Sequence, residues 1–401
     1  MDDPAAPPPL TTAQIFRRFL RFGFLAWGGP VAQIAMVRRA LVDEERWVTG
    51  GRFNRLLAVY QVLPGPEAHE LCVHLGMVAG GRRGGLAAGL GFMLPGFVLM
   101  FALSWLYFRL DLSQSALGPM FLGVQIGVIA LIVRAVHRIG GHVLTDRWLW
   151  ATGTIAAAAA YAGVSFWIVL PAAGLGYLLL IQRNYWLAAA TAALAAALAL
   201  VTLPAQAGGV GGQIAAAPLI PAGSASPLLL FLAGLKAGLL TFGGAYTVIP
   251  FVRGDAVGRG WMTDAQFLDG VALSGILPAP LIIFSTFVGY YAGGPAGALA
   301  MTAGIFLPAF VFSLLFYDRL EQVVENERLR SVLEGVAAGV IGFIVATTVQ
   351  LAAALAGRVP SLPAALLILA GALALLYFWR SRLNLAAAII LSGIAGYFAM
   401  A

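Results

Sequence analysis

The feature that most constrains this chain is its series of long apolar stretches. Nine of them run for 17 to 25 residues with almost no charge, at 84–108, 115–136, 148–164, 165–182, 185–203, 294–317, 332–356, 361–379 and 383–400. A helix needs about 20 mostly apolar residues to cross a bilayer, so each stretch is a candidate span. The chain is 61% hydrophobic and only 10% charged, a balance that a soluble protein could not bury. The sequence therefore predicts an all-α integral membrane protein.

Four further apolar stretches are long enough to span a membrane but are interrupted near their middles by glycine and proline. They cover 16–37, 53–79, 227–252 and 265–291. Non-helical backbone at membrane depth is tolerated only where it is buried in protein or lines a water-filled cavity. These segments are therefore expected to be broken or re-entrant helices, which gives about 10–13 membrane segments in total.

The composition also excludes several classes of protein. The single cysteine, Cys72, rules out a disulfide and a cysteine metal cage, and the single lysine, Lys236, leaves no GxxxxGK[ST] loop for a nucleotide. The net charge of +7 comes from arginine, which in a membrane protein marks cytoplasmic loops rather than a nucleic-acid site. No cofactor, metal site or enzymatic activity is expected. Residues 1–13 are predicted to be a disordered tail without a cleaved signal peptide.

The chain repeats itself with an offset that drifts from 215 to 212 residues. The matching segments, first half and then second, are 20–30 with 235–245, 47–53 with 261–267, 63–66 with 277–280, 93–95 with 306–308, and 123–129 with 335–341. Five matches in one order indicate an internal duplication, as in many secondary transporters. The predicted division is a first repeat over 14–203, a charge-free linker over 204–226 and a second repeat over 227–401.

Arginine is distributed unequally between equivalent loops of the two halves. The 38–55 loop holds five arginines against three acidic residues, whereas 253–269 holds two arginines against three aspartates. Because arginine collects in cytoplasmic loops, the first loop is expected inside and the second outside, which predicts inverted repeats. Arginines also precede segment 16–37, so both of its ends are expected in the cytoplasm, as in a re-entrant hairpin turning at Gly28-Gly29-Pro30.

At this point the motifs resemble a known family. The sequences FGFLAWGGPVAQIAMVRRALVDEERWVTGGRF at 22–53, VLPGPEA at 62–68 and LTFGGAYTVIPFV at 240–252 are similar to the chromate ion transporter family of bacteria and archaea. The resemblance covers about residues 14–400 and is to the long, two-domain members. It implies a multi-pass transporter of the bacterial cytoplasmic membrane that exports chromate, driven by the proton gradient or the membrane potential, with halves of opposite orientation.

Chromate is a tetrahedral dianion, which a protein can hold with backbone N–H groups at helix N-termini and with side-chain donors. A glycine pair breaks the first apolar segment of each half and could begin a new half-helix there. The alternative is close helix packing through small residues. The expected binding residues at these breaks are Gly28, Gly29, Pro30 and Gln33 in the first half and Gly243, Gly244, Tyr246 and Thr247 in the second.

The two Pro-x-Pro motifs must also interrupt helices, because proline removes a backbone donor and clashes with the preceding turn. Pro64, Gly65 and Pro66 in the first half, and Pro278 and Pro280 in the second, are expected to line the anion path or to act as structural kinks.

Several basic side chains lie near the breaks. Arg21 and Lys236 each lie seven residues before the first glycine of a break and share its helix face, so they are expected to attract the anion, unless they snorkel to the interface. Arg38 and Arg134 lie near segment ends, where snorkelling is expected. Arg138, with the two histidines beside it, is expected in a short cytoplasmic loop.

Glu67, Glu70 and His74 share one face of a helix that would begin after Pro66. Carboxylates and imidazoles inside a membrane can relay protons, and a carboxylate repels a dianion. These three residues are therefore the candidate proton-coupling groups. The alternatives are a first-turn acid that stabilises the helix dipole and a solvated cavity face.

The leading hypothesis is a secondary transporter that exports chromate by alternating access. A sulfate or other oxyanion carrier of the same fold is the nearest alternative, because the ions share charge and shape. A passive channel and a membrane-embedded enzyme are more distant ones. The expected partners are the anion and the lipid bilayer, and the oligomeric state stays open, with a homodimer as one option.

Overall fold

The computed structural model describes residues 7–110, 117–206, 219, 221–242, 244–316 and 326–400. Within these ranges the regular structure is helical, and five helices are long and apolar enough to cross a bilayer, which confirms the all-α membrane prediction. In chain order the helices are α1 (Thr12–Phe24), α2 (Gly29–Arg38), α3 (Gly50–Val62), α4 (Glu67–Arg109), α5 (Gly118–Val143), α6 (Arg147–Tyr161), α7 (Phe166–Ile181), α8 (Tyr185–Gln206), α9 (Pro227–Leu239), α10 (Ile249–Ala256), α11 (Asp264–Gly275), α12 (Phe284–Leu315), α13 (Glu327–Ala356), α14 (Leu362–Phe378) and α15 (Asn384–Met400).

Each half begins with a helical hairpin that turns at its glycine break. In the first half the chain runs back along α1 after the break, because Phe19 packs on Trp47 with 6.2 Å between the ring centroids. In the second half α9 and the α10 region fold back in the same way, since Lys236 Nζ lies 2.5 Å from Asp255 Oδ2. The chain thus folds back after the first break of each half, as a re-entrant hairpin requires, and the re-entrant topology of 16–37 stays a prediction.

A second helical hairpin follows in each half and turns at the Pro-x-Pro motif. The helix stops before Pro64-Gly65-Pro66 and restarts after it, and Tyr60 Oη then lies 3.1 Å from His74 Nδ1. Fourteen residues of continuous helix would separate those two residues by about 20 Å. The equivalent turn between α11 and α12 brings Phe267 onto Phe284, with 5.5 Å between their ring centroids.

A glycine pair reverses the chain inside α4 and again inside α12. Gly81 and Gly294 take left-handed φ values of 60° and 63°, a conformation that glycine adopts without strain. As a result, His69 Nε2 lies 3.2 Å from the Gly89 carbonyl, which a straight helix would place about 30 Å away. Each of these helices is therefore a hairpin with a short and a long arm, namely 67–79 and 82–109 in α4, and 284–292 and 295–315 in α12.

The long arms of α4 and α12 occupy equivalent positions in the two repeats and pack antiparallel against each other. A Cβ added to Gly85 would lie 2.7 Å from Leu314, and one added to Gly89 would contact the ring of Phe310. The contact partner on α12 moves back from Leu314 to Phe310 as the position on α4 advances from Gly85 to Gly89, so the two arms run in opposite directions. Equivalent helices that run in opposite directions are the arrangement expected of inverted repeats.

The last helices of each half pack on the other half. α5 lies against α14 and α15, while α13, its equivalent, lies against α6 and α7. A Cβ added to Gly123 would collide with the Ser392 carbonyl on α15, and one added to Gly335, its repeat equivalent, would lie 2.6 Å from the Ala173 carbonyl on α7. The two halves are thus interlocked, and their interface is formed partly by close backbone contact at glycine.

The π-helical stretch Arg39–Glu44, which directly follows α2, explains one step in the drifting repeat offset. A π-turn accommodates one extra residue in a helix. Before this stretch the halves align with an offset of 215 residues, and after it with 214. α10, the equivalent helix in the second half, contains only α-helical turns.

The sequence places Arg138 in a loop, and the structure corrects this. α5 continues to Val143, so Arg138 and the histidines beside it lie on a helix that the adjacent Gly140 and Gly141 do not end. The break comes later because Asp146 caps α6, accepting hydrogen bonds from the backbone N–H groups of the first turn at 2.6 and 3.0 Å.

Two predicted domain boundaries also move. α1 begins at Thr12, inside the predicted tail, because Thr11 and Gln14 form a capping box. α8 continues to Gln206, inside the predicted linker, and most of the remaining linker, 207–218 and 220, lies outside the described residues. The division into two repeats stays a prediction.

Candidate functional site

The tip of the first Pro-x-Pro hairpin touches the glycine break of the opposite half. Pro64 forms an isolated antiparallel bridge with Phe242, and the Gly65 N–H donates to the Thr241 carbonyl at 2.8 Å. Gly65 has a φ of 154°, and a Cβ there would collide with the Glu70 carboxylate. A glycine is therefore required at this tip by both the backbone and the space around it.

The second tip reaches the first break through Gln33. Its Nε2 donates to the Ala26 carbonyl at 2.9 Å and to the Ala279 carbonyl, between Pro278 and Pro280, at 3.1 Å. Gln33 is buried and its amide donors are used for these bonds, so the structure gives it a positioning role between the repeats. The predicted motifs of both halves thus meet in one region.

Two cavities adjoin this region and share part of their lining. The smaller has a volume of about 390 Å³ and the larger about 680 Å³. Both are bounded by the first turn of α2, by α5 and by the second glycine break. The residues that line both are Pro30, Val31, Ala135, Arg138 and Tyr246.

The N-terminus of α2 faces the larger cavity and is suited to an anion. Gly28 and Gly29 have φ values of 87° and 77°, so the chain enters the helix through a turn that favours glycine. No side chain caps the helix, and Pro30 occupies its first turn, where no hydrogen bond is lost. The free N–H groups and the helix dipole favour a negative charge here.

Arginines surround the same cavity. Arg134 and Arg138 lie one helical turn apart on α5, and Arg380 and Arg382 come from the loop before α15. No ion pair to any of these four is found within the described ranges, whereas the fifth arginine, Arg39, pairs with an acidic neighbour at 3.0 Å. The cavity therefore presents a concentrated positive charge. The Arg134 side chain lines this cavity, and its snorkelling to the interface stays a prediction.

The second glycine break contributes a hydroxyl to the site. Tyr246 lines both cavities and is 9% exposed. Gly244, with a φ of 116°, lines the smaller cavity. Thr247 is fully buried and donates to the Gly244 carbonyl at 2.7 Å, so its hydroxyl stabilises the turn. Gly243 lies outside the described residues.

The candidate proton-coupling residues lie beside the smaller cavity, on the short arm of α4. Glu67 lines that cavity and is almost buried. Glu70 is fully buried against Gly65, with no hydrogen-bond partner for either carboxylate oxygen in the described part of the chain. His74 lies deeper and contacts Tyr60. The three side chains follow one helix face, as the spacing predicts.

The structure separates Arg21 from Lys236. Arg21 lines a third cavity, of about 460 Å³, which borders on Arg39 and Arg382 of the larger one. Lys236 instead pairs with Asp255 and lies 5.3 Å from the centre of the Phe166 ring, and it lines none of the three cavities. Lys236 therefore faces none of these cavities, and its contact with the anion stays a prediction. Arg138 is the basic side chain that lines both cavities at the convergence of the motifs.

Comparison with known proteins decides the family. A family profile described as Chromate transporter matches residues 13–212 and 228–397. The chain belongs to the chromate transporter family. It is 63% identical to a chromate transport protein of Pseudomonas aeruginosa, over 98% of this chain and 94% of that protein. It is also 31% identical to a chromate transport protein of Cupriavidus metallidurans, over 97% and 94% of the two chains. A probable chromate transport protein of Synechococcus elongatus is 28% identical, over 97% and 96%. No solved structure matches the chain.

Proposed function

We propose that this protein is a secondary transporter that exports chromate across the bacterial cytoplasmic membrane. The observation that carries the proposal is the arginine-lined cavity at the N-terminus of α2, in the region where the motifs of both repeats converge. The family relationship, with relatives named for chromate transport, points to the same substrate.

The dianion would be held between three groups. The backbone N–H groups that begin α2 would face it from one side, the Arg138 guanidinium from α5, and the Tyr246 hydroxyl from the opposite half. Charged hydrogen bonds to a planar guanidinium are strong and well oriented for an oxyanion. Arg134, Arg380 and the Arg21 cavity would raise the local anion concentration on the way in.

The open side of this site carries the arginines, and the positive-inside rule supports a cytoplasmic location for it. The antiparallel long arms of α4 and α12 support inverted repeats. In that arrangement an exchange of conformation between the repeats would close the arginine side and open the opposite one. The geometry described here would then be the loading state for export.

The membrane potential alone could drive this export. Moving one elementary charge through 100 mV corresponds to about 2.3 kcal/mol, so a dianion gains about 4.6 kcal/mol from a potential that is negative inside. Since about 1.4 kcal/mol corresponds to a tenfold concentration ratio, this free energy could sustain a chromate concentration roughly a thousandfold higher outside than inside. We propose Glu67 as the group through which protons would modulate the cycle, with Glu70 and His74 behind it.

The proposal is tested by flux of radiolabelled chromate in everted membrane vesicles. An imposed potential, positive inside the vesicle, is expected to drive chromate accumulation that vesicles without the protein do not show. Vesicles preloaded with unlabelled chromate should also take up label by counterflow, which a channel would not support. Absence of flux under both conditions would reject the transporter assignment.

The same assay separates the oxyanion alternatives. Excess sulfate that fails to reduce chromate flux would define a chromate-selective site. Sulfate flux without chromate flux would keep the carrier and replace its substrate, because the cavity recognises tetrahedral shape and charge.

A further inference from the structure

The second half has its own cationic cluster, which includes the repeat equivalent of Arg138 in the open site. Arg253 is the repeat equivalent of Arg38, and Gln350 on α13 is the equivalent of Arg138 on α5, by the offsets of 215 and 212 residues. Gln350 lies 16 residues, or about 24 Å, further along α13 than Glu334, which lines the smaller cavity, so this cluster is at the far end of that helix from the open site.

In this cluster each of the three guanidinium nitrogens of Arg253 donates a hydrogen bond. Its side chain is 4% exposed, and its Nε and Nη2 donate to the two carboxylate oxygens of Asp264 at 2.7 and 3.1 Å. Its Nη1 donates to Gln350 Oε1 at 2.7 Å. This two-point contact with the carboxylate is the geometry in which a guanidinium also binds two oxygens of a tetrahedral oxyanion.

A second set of charges lies on the same helical hairpin. Asp255 accepts from Arg259 at 3.1 Å and pairs with Lys236 at 2.5 Å. Together with Arg253 and Asp264, the set holds three cations and two carboxylates, so one positive charge remains. If Asp264 moved away, the excess would rise by one at a buried guanidinium, and an unpaired charge there is costly.

We infer that Arg253 forms a second oxyanion site, at the outer end of the path, and that the Asp264 carboxylate occupies it in this structure. Asp264 can leave because its side chain is 25% exposed and it belongs to the first turn of α11, the helix that would move when the outer side opens. The departing anion would take its place on Arg253, and return of the carboxylate would release the anion to the outside. This inference rests on the proposed transport function.

The test is oxyanion binding from the outer side in proteoliposomes of known orientation, with selenate as the probe. Asp264→Asn keeps the shape of the side chain and frees Arg253, so outer-side affinity for selenate is expected to rise about 10-fold, the gain of one charged hydrogen bond. Adding Arg253→Gln to Asp264→Asn should remove that gain. Asp43→Asn, which removes an exposed carboxylate of the first half, is the matched control and should leave the outer affinity unchanged.

A second variant keeps the test decisive if Asp264→Asn does not fold. Gln350→Arg supplies the arginine found at the equivalent position of the first half. It keeps Asp264 but replaces the Gln350 acceptor of Arg253 with a second positive charge, so it should also raise outer-side affinity. Parental outer affinity in folded Asp264→Asn, or in Gln350→Arg when the first variant is not recovered, would overturn this inference while chromate flux by the parent protein continued. Absence of oxyanion flux in the parent would instead count against the proposed function.

Discussion

Arg138→Gln is expected to weaken chromate binding strongly, because this residue faces both cavities at the proposed site. The arginine-lined cavity of about 680 Å³ has the volume of a sphere about 5.5 Å in radius, so a centred anion would lie at about that distance from the guanidinium. At an effective dielectric constant of about 20, a dianion and one positive charge at that distance attract by about 6 kcal/mol.

That value is an upper bound, since Arg138 is reached by water and the same cavity holds three further arginines that form no ion pair with any described residue. Measured hydrogen bonds to charged groups contribute about 1.5–3 kcal/mol, which corresponds to a loss of about 10- to 150-fold in affinity. Arg138→Lys should lose less, because it keeps the charge and gives up only the planar fork.

Equilibrium binding of radiolabelled chromate to purified protein at fixed, low salt measures this directly. Arg109→Gln is the matched control, since Arg109 is exposed and stacks on Trp105 away from the site. The reasoning is refuted if folded Arg138→Gln binds chromate within twofold of the parent protein, or if Arg109→Gln loses as much.

Three further variants address the breaks and the coupling. Gly28→Ala should reduce transport at least tenfold, because a left-handed φ costs about 1–2 kcal/mol and the new Cβ would lie 2.9 Å from a backbone carbonyl of the neighbouring loop; the control Gly371→Ala, within helix α14 and in open space, should leave transport unchanged. Gln33→Leu leaves two buried carbonyls unpaired at about 1–3 kcal/mol each, so the midpoint of thermal unfolding in detergent should fall, and an unchanged midpoint would exclude the positioning role. Glu67→Gln should keep potential-driven chromate flux but flatten its dependence on pH, and an unaltered pH profile would remove Glu67 from the coupling.

Much of the architecture follows from the sequence because broken helices have local causes. Glycine pairs and closely spaced prolines cannot continue a helix in any context, so the breaks at Gly28-Gly29 and around Gly65 could be predicted from the chain alone. The duplication was visible because the same breaks recur in one order. The π-helical stretch after α2 even explains a one-residue step in the repeat.

The pairing of the breaks could not be predicted in the same way. Contact between Pro64 and Phe242, and between Gln33 and Ala279, joins residues far apart in sequence, and nothing local specifies which tip meets which break. The crossed arrangement depends on the packing of both halves together.

The basic residues were the least predictable part of the site. An arginine near the end of an apolar segment looks the same in sequence whether it reaches the lipid headgroups or a protein cavity. In the structure Arg134 and Arg138 line one cavity together with the loop before α15. Lys236 lies deep inside an apolar segment of the sequence, which predicts a functional role, yet Asp255 on the same hairpin forms an ion pair with it.

The most direct test of the central claim is an experimental structure with chromate bound, located by anomalous scattering at the chromium edge. We expect one strong peak in the cavity bounded by the first turn of α2, Arg138 and Tyr246. A peak beside Lys236, with none at Arg138, would contradict the site described here.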